Sequence, residues 1–398
     1  MTRLSSRIRS VPPSPTFAIK AKAQALAARG RDIVDLSTGE PDFLPPAGVR
    51  EAAVAAVMAN ENRYAPVAGI PALREAVAAR YRELGLNVGA DQVLVTHGGK
   101  QALYTLSQAL LNPGDEAVVL TPAWVSYLPQ IELAGGVPVC VPCAPEDGFQ
   151  PDPDRVAAAM SEKTRFVLLN SPANPTGTVL DAGRLAAIDA AAAAVGAIVI
   201  SDELYRAITF SEPATCHPTL ADKSLDRTVI VDAVSKTWAM TGWRVGFMLG
   251  PRDLVTAAAK LQGHSTSGVC RINEAAALAA ITGPQDFLEP VIEELRERRD
   301  LLVAGLKHIP GIHLDVVPNG AFYLFPRVDG LFGKTAPDGT TLRSGGDVAA
   351  ALLAHGGVAT VPGEGFGEPR CVRMSYATTK EAIEAALVGM SAAVAALS

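Results

Sequence analysis

TVIVDAVSKTWAMTGWR (228–244) is the stretch that most constrains the fold. Its first half is a continuous run of β-branched and small apolar residues, which is typical of a strand buried on both faces of a sheet. Lys236 ends this run, and Arg244 follows after a turn of small residues. Such a lysine can form an imine with an aldehyde, and the arginine can bind a phosphate. A surface lysine whose stem covers apolar residues is the simpler alternative.

Outward from this stretch, apolar strand-like runs alternate with Ala-rich helical segments such as 100–111 and 181–195. The runs share continuous hydrophobicity: QVLVT (92–96), EAVVLT (116–121), VPVCVP (137–142), RFVLLN (165–170), AIVIS (197–201), TVIVDAV (228–234) and VGFMLG (245–250). Strands of this kind separated by helices predict an α/β fold with a mainly parallel, seven-stranded sheet and helices on both faces.

The two ends of the chain are predicted to differ from this central region. Residues 1–15 read as an extended N-terminal arm because of their prolines, and a helix is expected from about 16 to 29. Residues 16–46 and 301–398 are predicted to form a smaller α/β domain, and 47–300 the large domain.

Further elements are predicted towards the C-terminus. We expect a helical region over 252–305 with breaks at Gly283 and Pro290. In the tail, short strands are predicted to alternate with helices. The strand candidates are GIHLDVV (311–317), AFYLF (321–325), GVATVP (357–362) and CVRMSY (371–376).

Composition narrows the class of protein. The chain has 398 residues, with 35 basic against 41 acidic side chains and a net charge of −6, which disfavours nucleic-acid binding. No uninterrupted apolar run reaches the ~18–20 residues of a membrane helix. The basic N-terminus has no apolar core of a secretory signal, although a transit peptide stays an alternative. A cytoplasmic protein is expected.

Five scattered cysteines favour a reducing compartment, and no metal site is predicted. Cys140 and Cys143 form a C-x-x-C pair, but no second ligand pair follows. Both are interpreted as lining the core rather than as a metal or redox site.

Polar motifs follow several of the predicted strands, at the edge where doubly wound sheets bind ligands. They are HGGKQ (97–101), TPAW (121–124), NSPANPTG (170–177), SDELY (201–205) and Lys236. Asp202 ends an apolar run, so its carboxylate is expected to be buried and to need a cationic partner. A helix N-cap is the alternative role for this residue.

These motifs, in this order, resemble those of class I pyridoxal-phosphate (PLP) aminotransferases of fold type I, over nearly the whole chain. The resemblance implies that Lys236 forms the imine with PLP and that Asp202 pairs with the pyridine nitrogen. It also implies that Tyr205 and Asn174 bind the ring oxygen and that Trp124 stacks on the ring and contacts the substrate. Asn170 is assigned a supporting role.

The resemblance assigns the PLP phosphate to Gly98, Gly99, Lys100 and Arg244. Tyr64, in RYAPVAGIPALREA (63–76), matches the tyrosine that reaches the phosphate of the neighbouring subunit, which implies a homodimer with shared sites.

Two further matches concern the substrate. Arg373 in CVRMSYA (371–377) and Gly39 in STGEPDF (37–43) match the residues that hold its α-carboxylate, together with Asn174. The implied reaction is a ping-pong transamination in which Lys236 moves the Cα proton.

Within the class, the chain is most similar to the bacterial aspartate/prephenate aminotransferases. In that subgroup the equivalent of Lys100 meets the distal carboxylate, which implies aspartate or glutamate with oxaloacetate or 2-oxoglutarate. Two departures stand out. Pro12 replaces a lysine linked to prephenate use, which counts against that substrate, and Arg271 replaces a small polar residue. Arg271 either alters side-chain selection or is simple surface charge.

Other activities share these residues. An aminotransferase for aromatic or other amino acids, or a PLP-dependent lyase, would keep Lys236, Asp202 and Tyr205. The effector domain of a transcription regulator would need a DNA-binding extension, which we do not expect here.

Overall fold

A seven-stranded sheet lies at the centre of the protein. The computed structural model describes residues 2–11, 13, 15–210 and 223–398. In chain order the strands are β1 Val34–Asp35, β2 Val93–Thr96, β3 Glu116–Thr121, β4 Val137–Pro142, β5 Thr164–Asn170, β6 Ile198–Asp202, β7 Thr228–Ala233, β8 Gly246–Leu249, β9 Tyr323–Leu324, β10 Val358–Ala359, β11 Val361–Pro362 and β12 Val372–Ser375. The large sheet has the order β2-β8-β7-β6-β5-β3-β4, with β8 antiparallel to both neighbours and the other pairs parallel. The predicted mainly parallel α/β sheet is confirmed.

Helices cover both faces of this sheet. Among the described residues, the α-helices are α1 Ser6–Ser10, α2 Pro15–Ala27, α3 Ala47–Met58, α4 Pro71–Glu83, α5 Gly99–Leu110, α6 Tyr127–Leu133, α7 Pro153–Ala158, α8 Ala182–Ala194, α9 Val234–Thr237, α10 Arg252–Gly263, α11 Arg271–Thr282, α12 Leu288–Leu306, α13 Gly345–Gly356 and α14 Lys380–Ala395. Along β2, Val93 and Val95 pack with α3, α4 and α11, whereas Leu94 packs with α5, α6 and α10. The alternation of a strand between two apolar layers explains its continuous hydrophobicity.

The two ends of the chain meet in a smaller group of elements. β1 pairs in parallel with β10, and β11, β12 and β9 form an antiparallel sheet. Apolar side chains of α12, α13 and α14 share one core cluster with these strands. α12 runs through residue 300, where the sequence places a domain boundary.

Several local predictions were wrong. The segment 311–317 forms only one bridge, between His313 and Arg327, instead of a strand. Pro290 lies in the first turn of α12, where a missing N–H costs nothing, so it is not a break. The predicted break at Gly283 is confirmed, and the helical region is also interrupted at 264–270. Cys140 is exposed on the edge strand β4, whereas Cys143 is buried.

The N-terminal arm also differs from an extended chain. It contains the short helix α1, and Pro15 begins α2. Pro12, which carries the predicted departure, lies outside the described residues, as do Ser14 and Cys216.

Strand ends place the candidate residues along one edge of the large sheet. Asn170 and Asp202 are register partners at the ends of β5 and β6. β7 leads directly into α9, which carries Lys236. Because β8 is antiparallel, its first residue, Gly246, lies at the same edge and pairs with Ala233.

Candidate active site

A pocket of about 410 Å³ opens at this edge of the sheet. It is lined by ten of the twelve predicted site residues, which are Gly39, Gly99, Lys100, Trp124, Asn174, Asp202, Tyr205, Lys236, Arg244 and Arg373. Gly98 adjoins it, because a Cβ atom there would lie 2.6 Å from Nη2 of Arg244. Tyr64 lies outside the pocket. The structure therefore brings together side chains that are more than 300 residues apart in the sequence.

Lys236 lies in the interior of the pocket. Its Nζ donates a hydrogen bond of 2.7 Å to the carbonyl oxygen of Gly39. Burial lowers the pKa of Lys236 to about 8; Glu40 opposes this shift, and the charges of Arg373 and Arg244 reinforce it. An amine with this pKa is partly neutral near physiological pH, so it can act as a nucleophile or as a base.

Asp202 is buried beneath the pocket, as predicted. Its Oδ2 accepts a 2.6 Å hydrogen bond from the Tyr127 hydroxyl, and its Oδ1 accepts one from the Leu204 N–H at 3.2 Å. Burial raises the pKa of Asp202 to about 6, although both hydrogen bonds lower it. The Leu204 contact resembles the alternative capping role, but the carboxylate also faces the pocket. A buried carboxylate with spare acceptor capacity is suited to a cationic ring nitrogen.

Arg373 forms the opposite side of the pocket. Its Nη1 donates to Oδ1 of Asn174 at 2.9 Å, and its Nη2 donates to the carbonyl oxygen of Ser37 at 2.8 Å. The guanidinium lies 4.6 Å from the ring centre of Tyr323 and 5.1 Å from that of Phe366. The Nε atom is buried and has no hydrogen-bond partner in the described chain. A buried guanidinium held in this way has the geometry and charge suited to a carboxylate.

Asn174 and Tyr205 face the same space. Because Oδ1 of Asn174 accepts from Arg373, its Nδ2 amide is left as the donor toward the pocket. Asn170 accepts the backbone N–H of Asn174 at 2.8 Å, which agrees with its predicted supporting role. The hydroxyl of Tyr205 lies 2.8 Å from that of Tyr323.

The remaining end of the pocket is positively charged. Arg244 has a left-handed backbone (φ 56°), and its guanidinium donates to the carbonyl oxygens of Thr241 at 2.7 Å and His97 at 3.3 Å. Helix α5 begins at Gly99 beside it, so backbone N–H groups add to the positive potential. Burial and Arg244 lower the pKa of Lys100. An anion, such as a phosphate, fits this end.

Close packing of backbone explains the glycines here. A Cβ atom on Gly246 would lie 2.5 Å from the carbonyl carbon of Gly98 and 2.6 Å from the nitrogen of Gly99. Gly98 also has a positive φ of 81°. Only glycine permits strand β8 to approach the start of α5 this closely.

Sequence reasoning missed two tyrosines, Tyr127 and Tyr323, as well as Thr16, Glu40 and Ser235. Tyr127 lies three positions after Trp124, and the two rings make an edge contact at 5.4 Å. Its closeness in sequence to Trp124 is the one signal that the sequence offered for it, since Trp124 precedes the helix that Tyr127 begins. Tyr323 lies inside the apolar run AFYLF, where nothing marks it as different from a core residue.

Tyr64 and Arg271 lie together on a different surface. Tyr64 is 95% exposed, and both residues line a depression formed by 61–65 and 268–272. Arg271 makes an ion pair of 2.7 Å with Glu61. Within this one chain, neither residue lines the pocket that holds Lys236.

Known proteins resemble the chain over its full length. The sequence model of the family described as aminotransferase class I and II matches residues 31–389. The aspartate aminotransferase of Geobacillus stearothermophilus is 40% identical over 389 residues, which cover 97% of each chain. The aspartate/prephenate aminotransferase of Cereibacter sphaeroides is 40% identical over 401 residues, all of both chains. The solved aspartate aminotransferase of Thermus thermophilus with maleate superposes with a TM-score of 0.92 at 40% identity, covering 99% of this chain and 100% of that one.

Proposed function

The chain belongs to the aminotransferase class I and II family, and from this we propose that it transfers an amino group between an amino acid and a 2-oxo acid. The proposed amino acid is aspartate or glutamate, and the proposed 2-oxo acid is 2-oxoglutarate or oxaloacetate. It is an enzyme that depends on PLP. The observation that carries the proposal is the pocket in which Lys236 lies among Asp202, Arg373 and Arg244.

The residues of the pocket fit PLP. The N–H groups at the start of α5, with Lys100 and Arg244, would hold its phosphate. The space beside them is kept open because a side chain at Gly98 would collide with Arg244. Asp202 would face the pyridine nitrogen, and its burial favours pairing with a cation.

Three more side chains of the pocket complete the proposed cofactor site. Tyr205 and the Nδ2 amide of Asn174 would donate to the ring oxygen, and Trp124 would stack on the ring.

In the proposed reaction, Arg373 binds the α-carboxylate of the amino acid, assisted by Asn174 and the loop at Gly39. This fixes the Cα–H bond toward Lys236. When bound, PLP supplies an aldehyde for the amine and a cationic ring that stabilises negative charge at Cα. The Nζ of Lys236, with its pKa lowered to about 8, would take the proton from Cα and deliver it to the carbon that belonged to the PLP aldehyde, so that the amino group stays with the cofactor.

Lys100 is the proposed selector for the distal carboxylate of the substrate. It lines the pocket, and its Nζ lies 5.0 Å from the ring centre of Trp124. A cation at this position favours dicarboxylic donors. The relatives named for aspartate support the same assignment.

We also propose a homodimer in the cytoplasm, with Tyr64 entering the site of the partner subunit. The support is that Tyr64 is almost fully exposed and lies outside its own chain's pocket. No helix among the described residues is both long and apolar enough to cross a membrane.

The proposed domains are the arm 1–15, the small domain 16–46 with 301–398, and the large domain 47–300.

Single-turnover absorbance tests the proposed function. PLP-loaded protein is mixed separately with aspartate, glutamate, phenylalanine, tyrosine and alanine, and the keto product is identified. Rapid conversion to the pyridoxamine spectrum with aspartate and glutamate alone is expected. At saturating PLP, Lys100→Ala should reduce the rate for these two donors about 10- to 100-fold and leave alanine nearly unchanged; its PLP affinity is measured separately, because Lys100 is also assigned to the phosphate. Lys260→Ala, on α10, is the matched control.

Two outcomes would contradict the proposal. A preference for aromatic donors in the wild-type protein would overturn the substrate, and release of another product with full return to the starting spectrum would indicate a lyase.

A further inference from the structure

The loop of residues 37–43, here called the Gly39 loop, closes one side of the pocket. Its Gly39 carbonyl oxygen accepts the hydrogen bond from Lys236, and Glu40 lines the pocket beside it. A Cβ atom on Gly39 would lie 2.5 Å from the Tyr323 hydroxyl, so the loop has no room to move inward. A small displacement of this loop therefore changes the surroundings of Lys236.

The N-terminal end of the loop is fixed by hydrogen bonds to β12 and within residues 35–38. The backbone N–H of Ser375 donates to the carbonyl oxygen of Leu36 at 2.7 Å. The Asp35 carboxylate accepts from the Ser37 N–H at 2.7 Å and from the Thr38 hydroxyl at 2.7 Å. The first bond holds this segment against β12, and the other two fix the turn within residues 35–38.

The other end is held by a salt bridge to α12. Arg298 donates from Nη1 to Oδ1 of Asp42 at 2.8 Å and from Nε to Oε1 of Glu294 at 2.9 Å. The Arg298 side chain is only 12% exposed. Fully exposed pairs contribute little, but here the guanidinium is shielded although Asp42 and Glu294 are partly exposed, and its two donors bind two different carboxylates, which defines its orientation.

The same helix also contacts the helix that follows the Arg373 strand in the sequence. Lys380 begins α14 shortly after β12, and its Nζ lies 3.2 Å from Glu294 and 2.5 Å from Glu297. Glu294 thus bridges Arg298 and Lys380. The Gly39 loop and the start of α14, which follows the Arg373 strand, are therefore tied to α12 through neighbouring charges.

We infer that Arg298 is a positioning residue for substrate binding: through Asp42 it fixes the Gly39 loop at the distance from Arg373 and Lys236 that an amino acid requires. The inference rests on the proposed function, because the loop's part in carboxylate binding belongs to it. Arg298 itself touches neither the pocket nor the reacting atoms.

Enzyme kinetics of the PLP-loaded protein test this role. Arg298→Ala and Asp42→Asn should each lower kcat/KM for aspartate about tenfold, mainly through a higher KM, since a misplaced binding loop weakens substrate alignment. The affinity for PLP should change less than about twofold, because the phosphate residues lie at the other end of the pocket. Arg298→Lys should be intermediate, because one ammonium cannot reproduce the guanidinium fork.

Arg296→Ala is the matched control, since Arg296 lies on the same helix and, among the described residues, pairs with Glu293 at 2.5 Å rather than with the Gly39 loop. It should leave KM unchanged. In the double variant Asp42→Asn/Arg298→Ala, kcat/KM should be no lower than in Arg298→Ala, because that change already removes the contact with Asp42 as well as the one with Glu294.

Hydrogen exchange of amides 38–43 gives a readout that does not need transamination. Exchange should accelerate in Arg298→Ala and Asp42→Asn but not in Arg296→Ala. If the wild-type protein reacts with no amino acid, the proposed function fails while this exchange result still decides whether Arg298 holds the loop. Unchanged KM and exchange in Arg298→Ala, or additive losses in the double variant, would overturn the inference.

Discussion

Tyr127 donates a 2.6 Å hydrogen bond to Asp202, and both side chains are buried. The bond occupies one carboxylate oxygen and lowers the pKa of Asp202 against the effect of burial, which raises it to about 6. Trp124 contacts the Tyr127 ring edge-on, so the phenol is held in place by the residue that is proposed to stack on PLP. Tyr127 thus contacts both Trp124, which is proposed to stack on the PLP ring, and Asp202, which is proposed to pair with the pyridine nitrogen.

Replacing Tyr127 by Phe should weaken PLP binding about tenfold or more, because a hydrogen bond to a charged, buried group is lost. Wild-type affinity should fall below about pH 6 as Asp202 takes up a proton. Since the lost bond had lowered this pKa, the fall should begin at a higher pH in the variant. The PLP dissociation constant is measured from pH 5 to 8, with Tyr104→Phe, a partly exposed tyrosine, as control. Superimposable pH profiles would contradict this role.

Arg373→Lys should raise KM for aspartate at least tenfold, because an ammonium cannot make the paired contacts of the guanidinium. The loss should fall on kcat/KM more than on PLP affinity. Half-reaction kinetics at several aspartate concentrations give KM and kcat/KM, and a titration with PLP gives the affinity for the cofactor. Arg370→Lys, which alters an Arg–Glu368 pair outside the pocket, serves as control. Equal KM values for Arg373→Lys and the wild type would place the α-carboxylate elsewhere.

Lys236 in the cofactor-free protein should react with an amine-directed reagent with a half-maximal rate near pH 8. The reason is that burial lowers its pKa to about 8, so the neutral, reactive amine forms at lower pH than on an ordinary lysine. Trinitrobenzenesulfonate labelling, located by peptide mass spectrometry, measures the profile, and Lys236→Ala removes the labelled peptide. Because the folded state binds fewer protons than the unfolded state between about pH 8 and 10.5, this lysine also contributes stability that rises with pH in that window. A half-maximal rate near pH 10 would contradict the lowered pKa.

The sequence predicted those parts of the site that follow from strand ends. Asn170, Asp202 and Lys236 each come after a continuous apolar run, and parallel strands bring such ends to one edge. Tyr323 was missed because it is one apolar residue among others in its run, and its role depends on a contact with Tyr205 across 118 positions. No local pattern encodes such a contact.

The wrong predictions have a similar cause. GIHLDVV has the composition of a strand, but only His313 finds a partner there, so pairing rather than propensity decides the outcome. Pro290 was interpreted as a helix break although a proline is tolerated in the first turn, and its place in α12 depends on where the helix begins. Nothing in the fold explains the departure at Arg271, and Pro12 lies outside the described residues.

Tyr64 offers a direct test of shared active sites. Tyr64→Ala should weaken PLP binding about tenfold, since a hydroxyl donor to the phosphate is removed, and Lys236→Ala should abolish transamination. If Tyr64 serves the partner subunit, a hybrid of the two variants contains one site with Lys236 and Tyr64 both intact. Mixing the two variants under subunit exchange at limiting PLP should restore activity well above that of either variant. The affinity of the intact site for PLP should equal that of the wild-type protein. Sedimentation confirms that exchange occurs. Activity that stays at the sum of the two variants would show that Tyr64 acts within its own chain or not at all.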